Sequence, residues 1–269
     1  MPATTPSAAS AAFLALHRPG DPLLLPNAWD AGSARILAAL GFAALATTSS
    51  GFAATLGRPD GAVTRDETLA HAAALAAAVD VPVSADLENG FGDSPADVAG
   101  AVTDARAAGL AGCSIEDHTG RDDDPIYDRA LAVERVAAAA EASGGLVLTA
   151  RCENHLHGRG DLADTIARLQ AYQEAGADVL YAPGLRDVGQ VAALCREVDR
   201  PVNALLVRGG PTPAELADAG VARLSVGGTF AWNALSALVD AARELQAGEV
   251  GFLDRTGPAR EVMGRAFHA

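Results

Sequence analysis

Eight short runs rich in Val, Leu and Ala recur along the chain, with Ala-rich helical segments between them. That alternation limits the possible folds more than any other feature. The runs lie at Leu23–Pro26, Ala43–Thr47, Val81–Ala85, Gly112–Ile115, Leu146–Ala150, Asp178–Tyr181, Val202–Leu205 and Arg223–Val226. The spacing predicts helices over Ser33–Leu40, Thr64–Ala78, Pro95–Ala108, Asp128–Ala142, Leu162–Ala175, Asp187–Val198, Pro213–Ala219 and Phe230–Gln246. Gly41, Gly109, Gly176 and Gly220 follow four of them, where a left-handed C-cap favours glycine. Strands that alternate with helices pair in parallel, and eight such units close into a (β/α)8 (TIM) barrel. The 269 residues suit that barrel as one domain over 1–269, with a tail from about 247 to 269 packing on the barrel or on a partner subunit. An open doubly wound sheet would more often carry a Gly-rich turn after its first strand. Here that turn reads Pro26-Asn27-Ala28-Trp29-Asp30.

Composition narrows the chemistry. All 20 basic residues are Arg. A chain without Lys forms no Schiff base with a carbonyl substrate and lacks the phosphate-loop Lys, so a carbanion must be stabilised by other means, of which a metal is the obvious one. The formal net charge of −14 repels phosphate backbones and anionic lipid, so nucleic acid and membrane surfaces are not expected partners. No apolar run approaches the roughly 20 residues of a membrane span. Met1 to Gly20 lacks the basic start of a signal peptide. Three widely spaced cysteines, Cys113, Cys152 and Cys195, speak for a reducing compartment, and a cytoplasmic protein is expected.

In a closed barrel the reactive groups sit at the C-terminal strand ends. Those ends carry Asn27 and Asp30, Thr48 to Gly51, Asp86 to Gly90, Glu116 to His118, Arg151 to Asn154, and Asn203 within the seventh strand. The opposite ends carry Pro, Gly and apolar residues. Residues two apart on a strand share a face, so Asp86 and Glu88 point one way, as do Arg151 and Glu153. Asp86, Glu88 and Glu116 would then converge beside Arg151. Clustered carboxylates need a proton or a cation to coexist, and an oxygen-rich site suits Mg²⁺, or Mn²⁺ in its place. Arg151 would grip a substrate carboxylate through two parallel bonds.

Plainer roles compete for the same residues. A single acid after a strand is usually a helix cap, whereas three on neighbouring strands next to an Arg are not. Cys152 should point toward the helices and pack there. His155 and His157 lack a third zinc ligand, and Asp122 to Asp124 suit a solvated loop. Gly209-Gly210 and Gly227-Gly228 stand where many barrels bind phosphate, but Gly pairs also serve as turns.

At these residues the sequence resembles the isocitrate lyase/phosphoenolpyruvate mutase superfamily. The likeness runs through Pro26–Asp30, Thr48-Ser49-Ser50-Gly51-Phe52, Leu56-Gly57-Arg58-Pro59-Asp60, Ala85 to Gly92, Ser114-Ile115-Glu116-Asp117 and Thr149-Ala150-Arg151. The resemblance implies Mg²⁺ held by Asp86, with Glu88 and Glu116 sharing its waters and Asp60 nearby. It further implies substrate binding by Ser50, Gly51, Phe52, Trp29, Asn203 and Arg151, with Arg151, Glu116 and Asp60 as catalytic groups. The shared chemistry makes or breaks a bond to C3 of a pyruvate-like unit through a metal-stabilised enolate. It also implies a homodimer or homotetramer that exchanges a C-terminal helix.

The sequence departs from the lyase pattern after the fourth strand. Lyases of this group carry a Lys-Lys-Cys-Gly-His loop there, whereas this chain reads His118-Thr119-Gly120-Arg121-Asp122-Asp123-Asp124-Pro125. The expectation is a Mg²⁺-dependent lyase that cleaves a C–C bond in a small 2-oxo- or 2-hydroxy-carboxylate. Two alternatives are an enzyme of P–C bonds, for which Arg121 is the sole cation in the loop, and a non-catalytic carboxylate-binding barrel.

Overall fold

A computed structural model describes residues 7–267, so the outermost residues of the 1–20 stretch and of the 247–269 tail lie outside the described residues. Its strands are β1 (Leu23–Leu25), β2 (Asn27–Ala28), β3 (Leu45–Thr47), β4 (Val83–Asp86), β5 (Gly112–Glu116), β6 (Val147–Arg151), β7 (Val179–Tyr181), β8 (Val202–Leu205) and β9 (Arg223–Ser225). All pair in parallel in the order β1-β9-β8-β7-β6-β5-β4-β3-β2. β1 and β2 are two halves of one strand, broken at Pro26. Proline has no N–H for a ladder, so the strand changes neighbours there. Leu23–Leu25 pair with β9, Asn27–Ala28 pair with β3, and the Pro26 carbonyl accepts from Ala46 N–H at 3.0 Å. The sheet therefore closes on itself as a TIM-type barrel of eight strand positions.

Side chains alternate along each strand and divide the molecule into layers. Outward residues such as Ala85, Cys113, Ile115, Leu148 and Leu180 form the main core beneath the helices, and Cys152 is buried with them. Inward residues near the strand starts, among them Leu25, Ala46, Val147 and Val179, form a second apolar cluster. That cluster is plugged by Phe13, from a helix Ala8–Ala15 that the apolar pattern did not indicate. Burying such a side chain contributes roughly 1.5–3 kcal/mol. Gly112 is matched to the plug, since a Cβ there would lie 2.9 Å from Phe13 Cε1. With the lower interior filled by apolar groups, the polar inward residues gather at the upper end.

Two further elements complete the fold. Residues after β3 form a short helix, Ser49–Thr55, with Thr48 as its cap. The tail, expected to pack on the barrel or on a partner subunit, forms a 3₁₀ turn, Gly251–Thr256, and a helix, Gly257–Ala266, which packs against the barrel helix Ala31–Ala39. The apolar surface left over lies instead on Thr229–Gln246, where only Ala231 is buried and Trp232, Leu238 and Val239 are exposed.

Candidate active site

The loop after β4 is built around Asp86. Its backbone N–H donates to Thr47 Oγ1 at 2.8 Å, and its Oδ1 accepts from Ser114 Oγ and Glu88 N–H, both at 3.3 Å. The chain then turns sharply, with Glu88 at φ 49° and Phe91 at φ 62°. Non-glycine residues hold such left-handed conformations at a cost of ~1 kcal/mol or more, which the surroundings must offset. Arg135, buried on the helix Arg129–Ser143, supplies that support. It donates to the carbonyls of Gly92 and Asp93 at 2.6 Å and to that of Asn89, and its guanidinium lies 4.1 Å from the Tyr127 ring centroid. The Glu88 carbonyl accepts from Glu116 N–H at 3.0 Å, which ties the loop to β5.

The carboxylates surround a single guanidinium. Arg151 reaches Asp86 at 3.0 Å, Glu116 at 3.0 Å and Glu153 at 2.8 Å. Its Nε donates to Glu153 at 2.9 Å and its Nη1 to Asp86 at 3.0 Å, while Nη2 makes the close ion-pair contacts to Glu116 and Glu153. The guanidinium from which the sequence suggested a two-bond grip on a substrate carboxylate is thus flanked by three carboxylates of the protein. Glu153 was noted only as sharing a face with Arg151; it is buried and fixes the guanidinium. Its N–H donates to Asp117 Oδ1 at 2.8 Å, and Asp117 is in turn held by Tyr172 Oη at 2.6 Å and Arg168 at 3.4 Å.

One guanidinium does not neutralise this group. Burial, then the Asp86, Glu116 and Asp60 charges, push the Glu88 carboxyl up to about 8. Burial likewise raises Glu153 to about 8, against the pull of Arg151. For Glu116 burial is outweighed by Arg151 and by His118, and its carboxyl stays below the usual range. His118 lies 3.7 Å from Glu116 and stacks on His157 with centroids 4.1 Å apart; its hydrogen bond to Glu116 raises its pKa. Asp60 is raised by burial first, with a hydrogen bond from Ser49 opposing and Asp86 adding.

A cavity of about 170 Å³ opens at this end of the barrel. Ser50, Asp60, Asp86, Arg151 and Asn203 line it, as the sequence suggested. Gly51 lies directly behind Ser50 in the first turn of Ser49–Thr55. Glu88 and Glu116 flank Asp86 and Arg151 rather than forming the wall. Trp29 and Phe52 lie off the cavity. Phe52 stacks on His71 at 3.8 Å, the Trp29 carbonyl is bonded to His71 at 2.9 Å, and the Trp29 side chain faces an outer apolar groove with Phe230 and Met263. Asp30 caps the helix Ala31–Ala39 through Ser33 N–H at 2.6 Å. Asn27 clips the barrel, donating to Thr47 O at 2.7 Å and accepting from Gly227 N–H at 2.9 Å.

Among the described residues no three His, Cys, Asp or Glu side chains form a ready metal cage. The residues nevertheless fit Mg²⁺, which keeps several waters and asks for one or two carboxylates. The buried Glu88 Oε1 has no hydrogen-bond partner, and it stands in a group whose negative charge exceeds its positive charge.

The sequence pattern of the phosphoenolpyruvate phosphomutase family matches residues 13–246. The chain belongs to the isocitrate lyase/phosphoenolpyruvate mutase superfamily. It is similar to a solved candidate lyase/mutase from Burkholderia cenocepacia J2315, with 53% identity, a TM-score of 0.92, and coverage of 97% of this chain and 96% of that one. An uncharacterised protein of Mycobacterium tuberculosis H37Rv is 38% identical over 94% of this chain and 95% of its own. The 2-methylisocitrate lyase of Escherichia coli K12 is 30% identical over 74% of each. The superfamily contains both lyases and mutases.

Proposed function

We propose that this member of the superfamily is a Mg²⁺-dependent lyase that cleaves a C–C bond in a small 2-oxo- or 2-hydroxy-carboxylate. One observation carries the reading: Asp86, Glu116 and Glu153 share the single guanidinium of Arg151 beside a small cavity, with the Glu88 carboxyl next to them and its buried Oε1 without a partner. Such a group is completed by a cation, and Asp86, Glu88 and Glu116 are placed to hold Mg²⁺, or Mn²⁺ in its place. When bound, the ion supplies Lewis-acid stabilisation of charge that develops on a substrate oxygen. Ser50 and the first turn of Ser49–Thr55 face the cavity, where a helix start favours a carboxylate. Arg151, kept rigid by Glu153, orients a second oxygen as it exchanges one of its carboxylates. Asp60, at the cavity lip with a raised pKa, is placed to move a proton.

C–C cleavage is favoured over P–C chemistry by the loop after β5. Arg121, its sole cation, is bound to Asp93 at 3.2 Å and does not line the cavity. No cysteine is placed to serve as the acid, because none lines the cavity: Cys113 and Cys152 are buried in the core and Cys195 lies on the helix Val188–Glu197. A binder that had lost catalysis would have no need to retain the whole carboxylate group. The exposed apolar stripe of Thr229–Gln246 supports a homodimer or homotetramer in which that helix packs on a neighbour. The three unpaired cysteines support a cytoplasmic protein, and no described helix is long and apolar enough to cross a membrane.

The test is Asp86→Ala. It should leave the thermal unfolding curve cooperative, abolish Mg²⁺ binding by calorimetry, and lower kcat/KM at least roughly 100-fold. A variant that still turns over at the wild-type rate would contradict the assignment.

A further inference from the structure

The lower wall of the same cavity holds a second cation with no counter-ion. Arg223, on β9, is 4% exposed and lines the cavity from inside the barrel. Its Nε donates to Asn203 Oδ1 at 3.0 Å, and its Nη1 to Thr149 Oγ1 at 3.1 Å and His17 Nε2 at 3.3 Å. His17 Nδ1 faces the Phe13 carbonyl at 2.9 Å and must donate to it, so Nε2 carries no proton and accepts from Arg223. All three partners are neutral. Among the described residues no carboxylate lies within ion-pair distance of Arg223, and its Nη2 has no hydrogen-bond partner. By contrast, Arg151 and Arg168, also well buried, each hold carboxylates. The buried Arg135, which has no ion pair among the described residues, spends its donors on three backbone carbonyls of a loop instead of facing the cavity.

A buried guanidinium without an anion is costly, and the fold tolerates it where a ligand supplies the missing charge. The position is specific. Thr149, which Arg223 reaches, precedes Arg151 by two residues on β6 and so lies one inward-facing layer below it. Asn203 is fixed by its bond to Ser225 Oγ at 3.0 Å, and Ser225 also lines the cavity. We propose that Arg223, with Asn203 and Ser225, forms an anion subsite on the barrel floor. It takes a carboxylate at the far end of the ligand whose other end is held at the Asp86–Arg151 mouth. The proposal rests on the carboxylate-substrate reading only for what occupies the mouth. It assigns Asn203 a role in orienting Arg223 as well as lining the site.

The test is calorimetric binding in Mg²⁺ with paired ligands that differ only in a terminal carboxylate: 2-oxoglutarate against 2-oxopentanoate, and malate against 2-hydroxybutyrate. Oxalate, too short to reach the floor, reports on the mouth alone. In the wild type at least one diacid should bind about tenfold or more tighter than its monoacid partner. Arg223→Met should reduce that preference to within about twofold while oxalate affinity is unchanged, and Arg223→Lys should retain part of it. Asn203→Asp, which keeps the cation and gives it an internal counter-ion, should also abolish the preference. This variant decides the matter if Arg223→Met does not fold. Diacids that bind no tighter than monoacids in the wild type, or a preference that survives in Asn203→Asp and Arg223→Met, would overturn the subsite. Failure of oxalate to bind the wild type would instead count against the mouth assignment.

Discussion

Gly51 should tolerate no side chain, and the cost of adding one can be worked from its neighbours. A Cβ at this position would lie 2.6 Å from Thr48 Cγ2, 3.0 Å from Trp29 Cβ and 3.2 Å from Ala231 Cβ. Carbon atoms pack best at about 3.5–4.0 Å, so all three contacts are too close. Thr48 can retreat only by rotating its side chain, which takes Oγ1 away from the Gly51 N–H that it caps at 3.3 Å. Loss of such a cap costs about 1 kcal/mol. Overpacking adds about 1–3 kcal/mol, and the better helix propensity of Ala returns up to about 1 kcal/mol. Gly51→Ala should therefore destabilise by about 1–4 kcal/mol, which for a chain of this size lowers Tm by about 2–16 °C. Ser50 moves with the displaced turn, so KM should rise more than kcat falls. Gly160→Ala is the matched control, because nothing lies within 4 Å of its added Cβ. Thermal unfolding of both variants, beside wild type, is the assay. A Gly51→Ala variant within about 1 °C of wild type would refute the packing argument.

Three further outcomes are expected. Arg135→Met removes the donors to three carbonyls of the 89–93 loop and should cost about 3–5 kcal/mol in urea unfolding; an unchanged midpoint would show that the loop holds itself. His17 is pushed down to about 3 by burial and by Arg223, so its neutral form belongs to the native state, and the stability it contributes is full above pH 6.5 and is lost as pH falls toward 3. Between pH 7 and pH 5 that loss is about 2 kcal/mol, and His17→Gln should remove it from the pH profile of chemical unfolding. Leu238→Glu, on the exposed stripe of Thr229–Gln246, should shift the protein to monomer in light scattering while the barrel's circular dichroism persists; an unaltered assembly would place the interface elsewhere.

Much of the barrel was legible in the sequence because strand and helix periods differ and recur. The run Val202–Leu205 matches β8 at both ends, and the other strands shift by one or two residues at their ends. What could not be read has physical reasons. The helix Ala8–Ala15 is a stretch of small residues with no apolar stripe, and its role rests on one side chain, Phe13, that acts only once the barrel exists. Ser49–Thr55 is too short to show a period. At the site, the alternation of Asp86 with Glu88 and of Arg151 with Glu153 indicated which residues share a face. It did not show that Arg151 would be ringed by carboxylates from three strand ends, because that depends on barrel closure. Trp29 and Phe52 sit within motif runs that border the cavity, yet their side chains turn to His71 and the outer groove. Arg223 was legible only as the start of an apolar run. Its burial without a carboxylate is a property of the closed interior.

The central claim is metal-dependent C–C cleavage at the Asp86–Arg151 cavity. The most direct measurement incubates the protein with oxaloacetate, methylisocitrate, dimethylmalate, phosphonopyruvate and phosphoenolpyruvate, followed by proton and phosphorus NMR in Mg²⁺ or in EDTA. One of the three phosphorus-free acids should be consumed in Mg²⁺ and spared in EDTA, with both phosphorus spectra unchanged. Consumption that persists in EDTA, or turnover of phosphonopyruvate in place of the carbon acids, would contradict it.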